Sequence, residues 1–222
     1  MNRAVVRQLV LADLYLHRWM VLGAVAAGAA SIALLPLGRA SAYVGSVSLV
    51  CVLIVLNVYL VLNGIVQERK DKVQVFLLSL PISPMQYTAA KIASNAIGFV
   101  VPWILLTAAA LATIHISWIP DGTIPFIAAV LAYLLLYYCV LLAVGLLTDS
   151  TGWHAAVITA GNLTVNFLIA FLGVLPSVTM HRDGPVAVWT PDIVTLVVLE
   201  VAAGAAAVGL AWYFRSRDTD FV

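Results

Sequence analysis

The chain has 222 residues, 64% of them hydrophobic and only 9% charged, with a formal net charge of +1. A soluble domain carries about 25% charged residues, so this chain cannot cover itself with a water-facing surface, and no basic tract suggests nucleic acid as a partner. Lipid admits only helices and closed barrels, and the apolar runs here are continuous rather than alternating, which excludes a barrel.

Residues 1–18 place Val5, Val6, Leu9, Val10, Leu14 and Leu16 among Arg3, Arg7, Asp13, His17 and Arg18. That spacing predicts an amphipathic helix lying in the membrane interface, apolar on one face and charged on the other. The polar opening does not read as a cleavable signal peptide. Six spans follow, near 19–37, 42–66, 92–116, 124–147, 155–175 and 192–214, each close to the roughly 20 apolar residues that cross a bilayer. The expected fold is therefore an all-α membrane protein, a single transmembrane domain over 1–222.

Turn and breaker residues separate the spans: Pro36-Leu37-Gly38-Arg39, Pro120-Asp121-Gly122, Asp149-Ser150-Thr151-Gly152, and a longer stretch with Pro176, Gly184, Pro185 and Pro191. Trp118 and Trp189 fall where interfacial aromatics are expected. Cys51 and Cys139 sit inside apolar runs, without disulfide or metal-ligand spacing, and read as small buried hydrophobes. Nine of the eleven Lys and Arg residues (Arg3, Arg7, Arg18, Arg69, Lys70, Lys72, Lys91, Arg215 and Arg217) fall on one side of the six-span arrangement, leaving Arg39 and Arg182 on the other. By the positive-inside rule both termini and the 67–91 segment are expected in the cytoplasm.

That segment is the densest charge cluster in the chain. Glu68, Arg69, Lys70, Asp71 and Lys72 open it, and Glu68 with Lys72 forms an i, i+4 pair that supports a helix start. Val73, Phe76, Leu77 and Leu80 then recur on one face. Pro81 removes a donor and ends the helix at about Leu80. Read from the residues alone, the segment is either an ordinary solvated loop or a short cytoplasmic helix clamped to the bundle by one side.

The run Leu77-Leu78-Ser79-Leu80-Pro81-Ile82-Ser83 after these charges, followed by Lys91 at the head of a span, resembles the type-2 ATP-binding-cassette (ABC) exporter permeases. Leu11-Ala12-Asp13-Leu14 is similar to that family's amphipathic entry helix, and Arg215-Ser216-Arg217-Asp218 to its short charged tail. The resemblance implies an exporter of alternating access. Two six-span subunits would pair, the second one an identical or a different chain, with span one of each against span five of the other. Two copies of a separate ATPase subunit would bind ATP and Mg beneath them. The 67–80 helix, with its flanking Pro81, would couple to that ATPase, joined by the 149–153 turn. The chain has no G-x-x-x-x-G-K-[ST] loop, so it cannot hydrolyse ATP itself, and no cofactor is expected in it. A bacterial cytoplasmic (inner) membrane follows from the resemblance.

Polar residues inside the spans form the candidate substrate path: Asn57, Asn63, Asn95, Asn162, Asn166 and Glu200. Asn162 and Asn166 share a helical face. Interhelical hydrogen bonds of this kind are worth about 0.6 kcal/mol, so packing alone would account for them, whereas the resemblance sets spans two and five beside the path. Glu200 lies roughly 12 Å from the outer end of its span, at a depth where charge is costly. It reads either as a cavity residue or as a hydrogen-bond partner of a neighbouring helix. Small residues four apart, Gly23/Ala27, Ala24/Gly28, Ala203/Ala207 and Ala205/Gly209, permit close helix approach.

No cation cage or acidic ring is present, and no two histidines share a face with a carboxylate, which argues against a metal cargo and an intramembrane hydrolase. The expected function is the permease subunit of an ABC exporter for an amphipathic or hydrophobic cargo such as a lipid, peptide or drug-like molecule. A proton-coupled secondary transporter using Glu200, and a non-transporting scaffold, are the alternatives.

Overall fold

A computed structural model describes residues 3–67, 84–148 and 150–217. The described chain is helical, and six of its helices are long and apolar enough to cross a membrane. They are α1 (Arg3–Ala33), α2 (Arg39–Val61), α3 (Pro84–Ile116), α4 (Ile124–Leu147), α5 (Thr151–Val174) and α6 (Pro191–Arg217). A lipid-exposed chain must satisfy its backbone within each segment, and these helices do so apart from α3 at Pro102, which has no amide to donate. The protein is a multi-pass membrane protein.

The most buried helix is α4, and its sequence explains why. Ile124–Leu147 is apolar all round, the signature of a helix surrounded by others, and packs against α2, α3, α5 and α6. Its Tyr138 is buried and stacks on Phe99 of α3, ring centroids 4.2 Å apart. On one side of α4, helices α1, α2 and α3 form a mutually packed group; on the other, α5 and α6 each lean on α4. Among the small-residue pairs, Ala24/Gly28 faces inward, and a Cβ at Gly28 would come within 2.6 Å of Leu106 on α3. Gly23 and Gly209 meet nothing within 4 Å and face outward. Cys51 is exposed on α2 and Cys139 half-buried on α4, both with free thiols.

Several boundaries differ from the expected ones. The helix expected at 1–18 and the span expected from 19 are one continuous 31-residue helix, α1. No Pro or Gly before Gly23 interrupts it. Two of its polar residues are turned inward: Asp13 and His17 are buried, while Arg7 is exposed together with Leu11, Tyr15, Leu16 and Trp19. The two polar side chains find partners on α2 and α3, and these turn α1 so that its apolar residues face out. The second helix ends its regular α-turns at Val61 and widens into π-type hydrogen bonding over Leu62–Gln67. The third begins at Pro84, not near 92, with Pro in the first turn where its missing amide costs nothing. The fifth begins at Thr151, and the sixth runs from Pro191 to Arg217.

At the far end of the bundle the connections lock together. After a turn at Leu35–Leu37, Gly38 adopts φ +146°, a conformation that favours glycine, and Arg39 starts α2. A one-turn helix, Pro176–Thr179, leads into a loop that meets the Asp121–Thr123 turn, where the Gly122 amide donates to the Gly184 carbonyl at 3.0 Å. Arg182 lies 5.1 Å from the Phe126 ring centroid, and the Trp118 indole donates to the Pro36 carbonyl at 3.0 Å.

Candidate functional site

Among the described residues, two of the polar regions inside this apolar bundle hold candidate residues. The first is near the end where α1 begins. Lys91 on α3 pairs with Asp13 on α1, Nζ to Oδ1 at 2.7 Å. The Ser94 hydroxyl donates to the other oxygen of the same carboxylate. His17, one turn beyond Asp13, holds its Nε2 3.9 Å from Asp13 Oδ1, and its Nδ1 is 3.4 Å from the Tyr59 hydroxyl of α2. The two rings meet edge to face. At a rise of about 1.5 Å per residue, Asp13 lies roughly 30 Å along α1 from Ala33, at the border of a hydrocarbon core about 30 Å thick.

Beside this cluster, Gly64 of the π-type segment lies against α3. The Asn95 amide nitrogen is 2.9 Å from where a Gly64 Cβ would stand, so glycine admits the contact that a side chain would block. Among the described residues, the buried Asn95 Oδ1 has no hydrogen-bond partner, nor does either side-chain polar atom of the buried Asn57. Asn63 is exposed and donates to the Tyr59 carbonyl at 3.1 Å.

The second region lies between α4, α5 and α6. Glu200 is only 5% exposed, and its Oε2 has no hydrogen-bond partner among the described residues. It lies about 14 Å along α6 from Pro191, well inside the apolar layer. Tyr133 of α4 is within electrostatic reach of Glu200. The Tyr133 hydroxyl donates to the Gly161 carbonyl at 3.1 Å, and the Tyr137 hydroxyl to the Ile158 carbonyl at 3.3 Å. Gly161 lets the Tyr137 ring approach: a Cβ there would lie 2.3 Å from it. Two tyrosines one turn apart thus fasten α4 to α5 through backbone carbonyls.

The candidate path residues therefore do not form one lining. Asn57, Asn63 and Asn95 belong to the α2–α3 side, whereas Glu200 sits between α4 and α6. Asn162 and Asn166 lie on α5, half-buried and exposed, and each donates back to the carbonyl four residues earlier, at 2.9 and 2.7 Å. The coupling residues Glu68, Arg69, Lys70, Asp71, Lys72, Val73, Phe76, Leu77, Leu80 and Pro81 lie outside the described residues.

Sequence reasoning missed the Asp13–Lys91–Ser94 cluster and the Tyr133–Tyr137 pair. The signals were present: Asp13 and His17 stand four apart in an otherwise apolar stretch, and Lys91, Ser94, Asn95 and Gly98 share one face by helical spacing. No group of three or more His, Cys, Asp or Glu that could hold a metal occurs among the described residues.

A family model described as "ABC-2 family transporter protein" matches residues 36–194, well over half of the chain. The match takes in α2 to α5, the charged segment between α2 and α3, and the loops on either side of α4 and after α5. No curated protein and no solved structure gives a significant match.

Proposed function

The chain belongs to the ABC-2 family of transporter proteins, and from that premise we propose that it is the permease subunit of an ATP-driven exporter. The observation that carries this reading is the family match across 36–194, which includes the segment where a motor would dock. The six helices long enough to span a membrane support it. The sequence has no phosphate-binding loop, so the nucleotide chemistry falls to a separate ATPase subunit, present in two copies and holding ATP and Mg.

In this reading two permease subunits pair in the bacterial inner membrane with both termini cytoplasmic, the second subunit an identical chain. ATP-driven closure of the ATPases pushes on the helix within 67–91 through Val73, Phe76, Leu77 and Leu80, with the charges from Glu68 to Lys72 setting its register and Pro81 ending it. The push switches the cavity from inward to outward access. The cargo is amphipathic or hydrophobic, drawn from the cytoplasm or the inner leaflet, and Glu200 with the span asparagines contributes polar contacts along its way.

The test is affinity purification from native membranes in mild detergent, with ATPase activity measured on what co-elutes. An ATP-binding subunit in stoichiometric amount, lost when Phe76 and Leu77 are replaced by charged residues, is the expected result. A permease that elutes alone under several mild detergents, and transports on a proton gradient without ATP, overturns the reading.

A further inference from the structure

We propose that Asp13 and Lys91, with Ser94 and His17, form a latch that binds the first halves of α1 and α3 into one moving body. Asp13 and Lys91 are then positioning residues for ATP-driven transport: they touch neither cargo nor ATPase and act by carrying the displacement of the 68–83 segment into α1. This inference rests on the coupling role proposed above for that segment.

The placement of the cluster carries the argument. The 68–83 segment is flanked by the π-type turns Leu62–Gln67 on one side and by Pro84, the first residue of α3, on the other. The first flank meets one face of α3, and the second continues directly into α3. Asn95 on that face touches Gly64 of the incoming flank. Lys91 and Ser94, on the same face, hold Asp13 of α1. Gly98, one turn further, lies against Leu14 of α1 and Leu60 of α2. A push on either flank therefore arrives at the turn of α3 that grips α1.

The chemistry of the grip decides how it moves. An apolar helix contact can slip by fractions of a turn at small cost, because dispersion is non-directional. A carboxylate held by an ammonium on one oxygen and a hydroxyl on the other has one register, since moving by a residue abandons both charge-assisted bonds at a buried site. Further up the same interface, the contact of Gly28 with Leu106 is apolar. Thus α1 and α3 are pinned at the end next to the coupling segment and, among the described residues, packed together through apolar contact such as Gly28 with Leu106 beyond it. His17 extends the pin to Tyr59 of α2, immediately before the π-type segment.

The experiment measures the α1–α3 separation directly, by pulsed electron paramagnetic resonance between spin labels at the exposed positions Leu11 and Ile97, with Cys51 and Cys139 replaced by Ser. In the wild-type background the distance distribution is expected to be the same for the permease alone, with its ATPase subunit, and with that complex trapped by ATP and vanadate. In Lys91→Met it is expected to broaden and shift on trapping. Transport per ATP hydrolysed is expected to fall at least tenfold, while ATPase co-purification stays within twofold. The charge exchange D13K/K91D is expected to restore a narrow distribution and bring transport back to within threefold.

If Lys91→Met does not fold, D13N/K91M, which leaves no charge unpaired, is measured instead, and the same broadening is expected. A wild-type separation that changes on trapping, or a folded Lys91→Met or D13N/K91M protein with an unchanged distribution and unchanged coupling ratio, overturns the latch. Absence of any ATPase partner overturns the parent reading instead, and the distributions of the permease alone still decide whether the pin exists.

Discussion

Among the described residues the bundle buries two acids, Asp13 in α1 and Glu200 in α6, and treats them differently. Asp13 is met by the Lys91 ammonium and the Ser94 hydroxyl, with His17 beside them. Glu200, deeper in the apolar layer, keeps an oxygen with no hydrogen-bond partner among the described residues, and the neighbouring Tyr133 hydroxyl donates instead to a carbonyl of α5. A buried ion is tolerable when its partners offset the lost hydration, so the Asp13 site is closed and sets the register between two helices. An acid with an open oxygen at mid-depth is the kind of group that marks a functional position in a membrane protein. A change in packing between α4, α5 and α6 can give it a new partner.

The largest expected effect tests the closed site. Lys91→Met strands the Asp13 carboxylate and should lower stability by about 3 kcal/mol, as removal of one partner from a buried pair does. Denaturant unfolding in detergent micelles measures it. A loss below about 1 kcal/mol, the scale of an exposed pair, would mean that water reaches Asp13 and that the two acids are not so different.

Glu200→Gln should show the reverse pattern. It keeps shape and polarity, so stability should change by less than about 1 kcal/mol, while ATP-driven transport falls about tenfold, equivalent to about 1.4 kcal/mol in the barrier. Unfolding curves and vesicle uptake on the same preparation separate the two readouts. Unchanged transport assigns Glu200 to packing alone.

Smaller effects sharpen the picture. Tyr133→Phe removes the hydroxyl that bonds the Gly161 carbonyl and should cost about 0.6 kcal/mol, the mean for interhelical hydrogen bonds in a membrane bundle. Asn166→Ala removes a side chain that bonds only within its own helix and lies exposed on α5. Its effect on the stability of the single subunit should stay within about 0.5 kcal/mol. A clear loss of dimer with unchanged subunit stability would instead place Asn166 against a second copy.

The number and order of the spans were legible in the residues, because hydrocarbon demands long apolar segments with internally bonded backbone and leaves little freedom in how they are written. The helix Ile124–Leu147 lies between turn residues on both sides for that reason. The family was legible too, through Leu77-Leu78-Ser79-Leu80-Pro81-Ile82-Ser83 and its flanking charges, a local string that needs no knowledge of contacts. The orientation of α1 was not. Its spacing shows two faces, but which one looks inward depends on Lys91, Ser94 and Tyr59, tens of residues away. In lipid an apolar face gains nothing by turning inward, so only the tertiary partners of Asp13 and His17 decided it. The same holds for the asparagines: all sit in spans by sequence, and packing alone put Asn95 against Gly64, Asn166 on an outer face, and Glu200 beside Tyr133.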